Sequence, residues 1–242
     1  MAKAPALSEV EVLSANVLPT SDTPGLLLVD KPTGLTSFGV VKKVRRLTGI
    51  RKVGHSGTLD PMATGLLIVM LDRATRLMDT LLANDKTYTG VMRLGGVTPS
   101  FDKETEVTER RDASNISRND VETAAAGFIG DIEQATPLYS AVKVGGERLY
   151  KKARRGERAV LPRRQVTIFS LSIDTMDGTD VQFTTRCSSG TYIRTLANDI
   201  GRVLGVGAYL TALRRTSIGQ FDVADAWSLE AFERAIENNS SV

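Results

Sequence analysis

The loop at residues 54–65, with the sequence GHSGTLDPMATG, combines residue types that could do chemistry. Its glycines allow backbone angles that other residues avoid, and Pro61 pushes Asp60 into an extended conformation. The apolar run at 66–70 follows directly and predicts a buried strand that anchors the loop. We therefore predict that Asp60 is a carboxylate held at a fixed angle on a structured loop, where binding and catalytic residues are common. The alternative is that Asp60 only initiates a turn, which Pro61 stiffens.

The rest of the chain offers few other catalytic groups. His55 is the only histidine, which leaves little room for a Ser-His-Asp or Cys-His hydrolase. Cys187 is the only cysteine, so a disulfide framework and a cysteine-rich zinc site are excluded. No run matches a Walker phosphate loop, and Gly205-x-Gly207 lacks the third glycine of a dinucleotide site. What remains is carboxylate chemistry at Asp60.

An aspartate can act as a nucleophile or a base when a neighbouring cation keeps it ionised. An arginine within a few ångströms typically lowers the pKa of a carboxylate by roughly 1–3 units. Arg194 is a candidate for this cation, because it lies in the first turn of a predicted helix after the run CSSGTY at 187–192. Arg194 could equally be a surface charge, and Tyr192 a core aromatic residue. Spacing alone does not separate these alternatives.

Hydrophobic periodicity predicts strands and helices that position the loop. Residues 86–94 alternate in character, which places Tyr88 on the inward face of a half-buried strand. Asp177-Gly178 is a hairpin turn between two further strands. This mixture of hairpins and helices indicates an α+β fold with a mixed sheet and not a doubly wound parallel sheet. The predicted helices begin at the capping residues Thr36 or Ser37, Ser117, Thr191 and Ser228, and at Asp72.

The composition is that of an ordinary globular protein with unevenly distributed charge. Of the 242 residues 41% are hydrophobic and 24% are charged, the net charge is +3, and the pI is about 9.0. Clustered cations on a mildly basic protein favour a polyanionic partner such as nucleic acid, although solvated helix faces would give the same pattern. The cationic clusters lie at residues 42–46, 51–52, 151–155, 163–164 and 214–215.

Residues 1–24 are predicted to form a flexible tail with a short extended piece at 10–12. The tail lacks the apolar core of a signal peptide, and no run reaches the roughly 18 apolar residues of a membrane helix. The chain is therefore expected to be cytoplasmic, with no metal and no membrane association. Residues 137–164 predict an exposed basic insertion, which either binds a phosphate backbone or is simply solvated.

Short sequence blocks follow one another in a fixed order along residues 25–227. They are KPxGxTS at 31–37, GHxGTLDPxATG at 54–65, KxY at 86–88, YSAxK at 139–143 and SGTYIR at 189–194. In this order the blocks resemble those of the tRNA pseudouridine synthase B family. That family isomerises uridine 55 in the T loop of tRNA to pseudouridine without a cofactor or a metal. The resemblance implies a pseudouridine-synthase-like α+β fold, in which a mixed, mainly antiparallel sheet is flanked by helices.

The resemblance also implies roles for individual residues. Asp60 resembles the catalytic aspartate, which either attacks C1′ or removes the C2′ proton of the nucleotide. Tyr88 resembles the tyrosine that stacks on the target base and assists proton removal from its C5. Arg194 resembles the arginine that pairs with the catalytic aspartate. Tyr192 and Leu213 resemble residues that line the pocket.

The implied partner is the T arm of tRNA, bound by a monomer whose catalytic domain spans residues 25–242. His55 resembles the histidine that inserts into the T loop as the uridine leaves its stack. Because few residues follow Trp227, no full C-terminal PUA domain is expected. A non-catalytic RNA-binding module, which would not need Asp60, and a guide-RNA-dependent synthase, disfavoured by the small size, are the alternatives. Candidate contacts with the RNA backbone are Lys31, Arg51, Lys52, Lys143, Lys151, Lys152, Arg154 and Arg155.

Overall fold

The structure, a computed structural model, describes residues 10–14, 17–19, 25–140, 142–155, 157 and 160–239. The chain divides into two compact units. The first unit comprises Met1–Tyr88 and Arg214–Val242, and the second comprises Thr89–Leu213. The chain passes from one unit to the other inside strands, after Tyr88 and again after Leu213.

Strands and helices alternate along the described chain. The strands are β1 (Glu11–Leu13), β2 (Gly25–Lys31), β3 (Val53–His55), β4 (Thr64–Leu71), β5 (Lys86–Leu94), β6 (Gly96–Val97), β7 (Glu109–Arg110), β8 (Gly130–Ala135), β9 (Lys143–Val144), β10 (Glu147–Arg148), β11 (Arg163–Asp177), β12 (Asp180–Cys187), β13 (Ala208–Ile218), β14 (Phe221–Asp222) and β15 (Trp227–Ser228). The α-helices are α1 (Ser37–Thr48), α2 (Met78–Ala83), α3 (Arg118–Ala126), α4 (Leu149–Arg154), α5 (Ile193–Val203) and α6 (Leu229–Asn239).

In the first unit, neighbouring strands follow the order β1-β2-β4-β13, with β3 also beside β4 and β15 beside β2. Successive residues of β4 enter two different cores. Leu67 and Val69 pack with residues of α1 and α6, whereas Leu66 and Ile68 pack with residues of α2 and the segment before it. A strand that is covered on both faces reads as a continuous apolar run, which explains the composition of residues 66–70.

In the second unit, neighbouring strands follow the order β13-β5-β12-β11-β8. β11 is antiparallel to both β12 and β8, and α3 packs on β11 while α5 contacts α3 and β8. Most strand pairs within the two units are antiparallel, and β1–β2, β4–β13 and β2–β15 are parallel. The predicted α+β fold with a mixed, mainly antiparallel sheet flanked by helices is confirmed.

The local signals at the ends of several helices are also confirmed. The Thr36 side chain caps α1 by accepting a hydrogen bond from the Gly39 N–H, and Gly49 ends this helix with φ of 71°. Ser117 and Asp120 form a capping box at the start of α3. Such caps satisfy backbone groups that a helix leaves without partners, and they depend only on neighbouring residues.

Two predictions about helices are corrected. The predicted helix at 72–83 begins as a 3-10 helix over Asp72–Leu77, which no side chain caps, and only its end is α2. Thr191 does not cap α5, because its hydroxyl donates to the Ser188 carbonyl at 2.9 Å. Tyr192 occupies the N-cap position of α5 instead, without a side-chain hydrogen bond.

Parts of the predicted tail and of the predicted basic insertion belong to regular structure. Glu11–Leu13 forms β1, which pairs with β2 in parallel, whereas residues 1–9, 15–16 and 20–24 lie outside the described residues. Within 137–164 the chain forms the β9–β10 hairpin and α4. No helix in the described ranges has the length and apolar character of a membrane span.

Candidate active site

The Asp60 loop (residues 56–63) connects β3 to β4 and is fixed to the first residue of α1. The Leu59 N–H donates to the Ser37 hydroxyl oxygen at 2.8 Å, and the same hydroxyl donates to the Leu59 carbonyl at 3.2 Å. The Ala63 N–H donates to the Asp60 carbonyl at 3.1 Å, which closes a turn containing Pro61. Asp60 itself is half-buried. Asp60 therefore begins a turn whose preceding residue is hydrogen-bonded to Ser37 of α1, as predicted for a structured loop.

A buried ammonium group joins the Asp60 loop to the segment before α1. Lys31 is fully buried, and its Nζ donates to the carbonyls of Pro32, Leu35 and Pro61 at 2.9, 2.7 and 3.4 Å. The Gly34 N–H also donates to the Pro61 carbonyl, at 2.8 Å. Carbonyl oxygens make the burial of this charge tolerable. The structure thus corrects the prediction for Lys31, since its ammonium supports the loop from the interior and does not face an RNA backbone.

Arg215 holds the Asp60 loop from β13. Its buried guanidinium donates from Nε to the Leu66 carbonyl at 2.8 Å and from Nη2 to the Gly57 carbonyl at 3.3 Å. Gly65 has φ of 102°, and a Cβ at this position would overlap the Arg215 carbonyl oxygen. Only glycine therefore allows β4 to approach β13 this closely. Two buried cations, Lys31 and Arg215, together fix the loop backbone.

His55 and Tyr88 are the other predicted site residues of the first unit. His55 ends β3 and is half-buried. Burial lowers the pKa of His55 below its ordinary value of 6.5, and the positive charge of Arg215 lowers it further. The imidazole is therefore neutral at pH 7. Tyr88 lies on the inward face of β5 and is 8% exposed, as the alternating pattern predicts.

In the second unit, Arg194 is a buried cation and not a surface charge. It lies in the first turn of α5, and its guanidinium donates to the carbonyls of Ser100 at 2.8 Å and Tyr139 at 3.1 Å. Its Nη1 lies 3.5 Å from the Asp102 carboxylate, and both side chains are almost completely buried. The pairing of Arg194 with Asp60 joins residues of different units and stays a prediction.

Asp102 is oriented toward Arg194 by its own loop. Its Oδ1 accepts hydrogen bonds from the Ser100 hydroxyl at 2.6 Å and from the Glu104 N–H at 3.0 Å. Phe101, with φ of 62°, turns the chain just before it. These contacts leave Oδ2 facing the Arg194 guanidinium.

Tyr192 and Leu213 also belong to the second unit. The buried Gln134 side chain donates to the Tyr192 carbonyl at 3.0 Å and accepts from the Tyr192 N–H at 2.7 Å. The Arg164 guanidinium lies 5.0 Å from the centre of the Tyr192 ring. Leu213 is 8% exposed on β13. Tyr192 is half-buried, so it is not simply a core aromatic residue.

The remaining predicted cations differ in exposure and in pairing. Arg51, Lys52 and Lys151 are exposed, and Lys152 is half-buried. Arg155 is exposed, but it donates to both oxygens of the Glu147 carboxylate at 2.7 Å and also to Glu157. The side chains of Lys143 and Arg154 lie outside the described residues. The described residues contain no group of three or more His, Cys, Asp or Glu that could hold a metal ion.

Two family models match the chain along most of its length. Residues 45–193 match the model described as TruB family pseudouridylate synthase (N terminal domain). Residues 194–241 match the model described as tRNA pseudouridylate synthase B C-terminal domain. The chain belongs to the TruB family of pseudouridine synthases. The predicted resemblance is therefore confirmed, and pseudouridine synthases are isomerases.

Individual relatives agree with the TruB family models. The tRNA pseudouridine synthase B of Paenarthrobacter aurescens (strain TC1) is 48% identical over 219 residues, which cover 88% of this chain and 70% of the relative. That of Mycobacterium sp. (strain KMS) is 49% identical over 211 residues, which cover 86% and 71% of the two chains. Among solved structures, a Cbf5-Nop10-Gar1 complex matches with 30% identity and a TM-score of 0.69. The match covers 90% of this chain and 56% of that one, so this chain spans little more than half the length of the solved structure.

Three buried residues that fix the Asp60 loop, Arg194 or Tyr192 within their own units were not singled out from the sequence. Arg215 is visible there only as one of a basic pair, and Asp102 only as the start of the acidic stretch 102–112. Gln134 lies in β8, and none of the sequence blocks includes it. The available signal for Asp102 was its position among small hydroxyl residues such as Ser100, which favour turns that orient a carboxylate.

Proposed function

We propose that this TruB-family chain isomerises uridine 55 in the T loop of tRNA to pseudouridine, and that Asp60 starts the reaction. The observation that carries the proposal is the Asp60 loop, where a half-buried carboxylate stands on a backbone held by buried Lys31 and Arg215. Relatives named tRNA pseudouridine synthase B support tRNA as the substrate. We expect the chain to act in the cytoplasm as a monomer, without a cofactor or a metal.

A single ionised carboxylate is sufficient for this isomerisation. Uracil leaves ribose as a resonance-stabilised anion, so the general acid of a glycosidase pair is not obligatory. Asp60 either bonds to C1′ or removes the C2′ proton, and in both cases the electrons of the N1–C1′ bond pass to uracil. The base then rotates and a C5–C1′ bond forms, as the Asp60–C1′ bond breaks in the first case or as Asp60 returns its proton to C2′ in the second. The loss of the C5 proton is balanced by protonation of N1.

The other proposed site residues either keep the Asp60 carboxylate ionised or help to extrude the target base from the RNA. Arg194 keeps Asp60 ionised, because an adjacent guanidinium stabilises a carboxylate anion. Tyr88 stacks on the extruded base, which returns about 1–3 kcal/mol against the few kcal/mol that extrusion costs. His55 suits a wedge in the base stack, since its lowered pKa makes it neutral and no charge must be desolvated.

Tritium release from a tRNA transcript labelled at C5 of its uridines tests the proposal. Wild type should release tritium without any other protein or RNA, and Asp60→Asn should release none. A transcript with cytidine at position 55 should also give no release. Turnover by Asp60→Asn would refute the role of Asp60, and release from the cytidine transcript would refute the target. A requirement for a second RNA would instead support a guide-dependent synthase.

A further inference from the structure

The first turn of α1 carries an exposed aromatic side chain beside an exposed cation. Phe38 is 54% exposed, and the Lys42 ammonium lies 5.2 Å from the centre of its ring. Leu35, which precedes the N-cap Thr36, is 36% exposed, and its side chain lies near Gly39 of that first turn. Neither Phe38 nor Leu35 belongs to the two described cores of the first unit. Leaving this apolar area in water forgoes the free energy that burial would provide, so a partner that covers it would gain that free energy.

This turn is joined to the Asp60 loop by short hydrogen-bonded paths. Phe38 directly follows Ser37, whose hydroxyl bonds the Leu59 backbone through both its N–H and its carbonyl. The Lys31 ammonium donates to the carbonyls of both Leu35 and Pro61. Leu59 and Pro61 are the two neighbours of Asp60 in the chain. A ligand that contacts Phe38 is therefore held at a fixed distance from the Asp60 backbone.

The charge pattern of α1 distinguishes Lys42 from its neighbours. Lys43 and Arg46 form ion pairs with Glu233 at 2.7 and 3.1 Å. Arg45 donates to the Val53 carbonyl at 2.7 Å and so supports β3. Within the described residues Lys42 has no ion pair, and it is exposed. An aromatic face next to an available cation matches a nucleotide, which offers a flat base and a phosphate.

We propose that Phe38 and Lys42 form a nucleotide-binding site beside the Asp60 loop. A base of the substrate RNA stacks on Phe38, and an adjacent phosphate contacts Lys42. The inference rests on the proposed function, since the occupant is RNA, and it adds a contact outside the residues that the reaction uses. Because this site lies at a fixed distance from the Asp60 backbone, it sets the affinity for the RNA and the register in which the RNA binds. It takes no part in bond breaking.

Equilibrium binding of unmodified tRNA to the full chain tests the proposal. Phe38→Ala should weaken binding about tenfold, within the range that base stacking on an aromatic residue provides, whereas Phe38→Trp should bind within about twofold of wild type. Lys42→Gln should reduce the slope of log affinity against log salt by about 0.7–0.9. Single-turnover tritium release at saturating RNA should stay within about twofold of wild type in all three variants, since stacking outside the reacting centre is uniform binding.

Phe169 provides a matched control in the second unit. It is 48% exposed, and the Arg186 guanidinium lies 5.2 Å from the centre of its ring. Phe169→Ala should leave tRNA affinity unchanged. Wild-type affinity in Phe38→Ala, or an equal loss in Phe169→Ala, would overturn the proposal.

Stability and chemistry are separated from binding in the same experiments. Because Phe38 is exposed, Phe38→Ala should unfold at the urea concentration of wild type. A marked fall in that midpoint, or a lost single-turnover rate at saturating RNA, would assign Phe38 to the architecture of the Asp60 loop and overturn the proposal. Wild type that binds tRNA but releases no tritium would refute the isomerase function, while the binding comparison would still decide the role of Phe38.

Discussion

The guanidinium of Arg194 and the carboxylate of Asp102 lie 3.5 Å apart, and both are almost completely buried within the second unit. The carbonyls of Ser100 and Tyr139 accept hydrogen bonds from the same guanidinium. A planar cation fixed in this way cannot turn into solvent. Orientation of this kind is what a cation needs if it is to keep a catalytic carboxylate ionised.

Removal of Asp102 should destabilise the fold. Asp102→Ala removes the buried carboxylate that lies 3.5 Å from the Arg194 guanidinium, and breaking a buried ion pair typically costs about 3–5 kcal/mol of unfolding free energy. Asp102→Asn keeps an oxygen for the Ser100 hydroxyl and the Glu104 N–H, so its loss of stability should be smaller. Urea unfolding of the two variants checks the order. Wild-type stability in Asp102→Ala would contradict the ion pair.

Arg194 should affect turnover more than tRNA affinity. Arg194→Ala is expected to bind tRNA with nearly wild-type affinity and to release no tritium, because the proposed role of Arg194 is to keep Asp60 ionised and not to hold the RNA. Arg194→Lys retains the charge but loses the planar fork, so it is the matched control for geometry. A large loss of affinity with normal single-turnover chemistry would overturn the assigned role.

Lys31 should behave as a structural residue in spite of its charge. Lys31→Met leaves the carbonyls of Leu35 and Pro61 without this donor, which should cost about 1–3 kcal/mol of unfolding free energy and lower turnover by loosening the Asp60 loop. The salt dependence of tRNA binding should not change. The exposed Lys52 is the control, since Lys52→Met should alter stability by no more than about 0.5 kcal/mol. A shallower slope of log tRNA affinity against log salt in Lys31→Met would show that Lys31 contacts the RNA backbone after all.

His55 should make stability depend on pH. Because its pKa is lowered in the folded protein, protonation favours the unfolded state. The contribution to stability is therefore present above the ordinary pKa of 6.5 and is lost as the pH falls from there toward the folded-state pKa. His55→Asn should flatten this loss between pH 6.5 and about 5, above the range in which most carboxylates titrate. Identical pH profiles in urea unfolding would contradict the lowered pKa.

The basic segment around α4 should contribute to the salt dependence through its lysines. Replacing Lys151, Lys152, Arg154 and Arg155 together should flatten the plot of log affinity against log salt, by about 0.7–0.9 for each RNA phosphate that the segment no longer neutralises. Arg155→Gln alone should have little effect, because Glu147 and Glu157 already bind its guanidinium. An unchanged slope in the fourfold variant would mean that this segment does not lie at the RNA.

The elements that the sequence predicted depend on neighbouring residues. The apolar run of β4, the alternation in β5, the Thr36 and Ser117 caps and the Asp177-Gly178 turn all reflect contacts within a few positions. The start of α5 was predicted wrongly because the local sequence allows Thr191 two different hydrogen bonds. A threonine hydroxyl can either cap a helix or donate to an earlier backbone carbonyl. In the structure the Thr191 hydroxyl donates to the Ser188 carbonyl, so it does not cap α5.

By itself, the sequence determined the family blocks, the loop with Asp60 and the elements on either side of it, because these rest on residue type and local order. Only the tertiary structure decided that Lys31 and Arg215 are buried supports of the Asp60 loop and that Asp102 is a buried partner of Arg194. In a sequence, an isolated lysine, aspartate or arginine is predicted to be an exposed charge. It supports a loop only where backbone from distant parts of the chain surrounds it and accepts or donates its hydrogen bonds. Arg194 reaches Ser100 across 94 positions and Arg215 reaches Gly57 across 158, so no local pattern could reveal either contact.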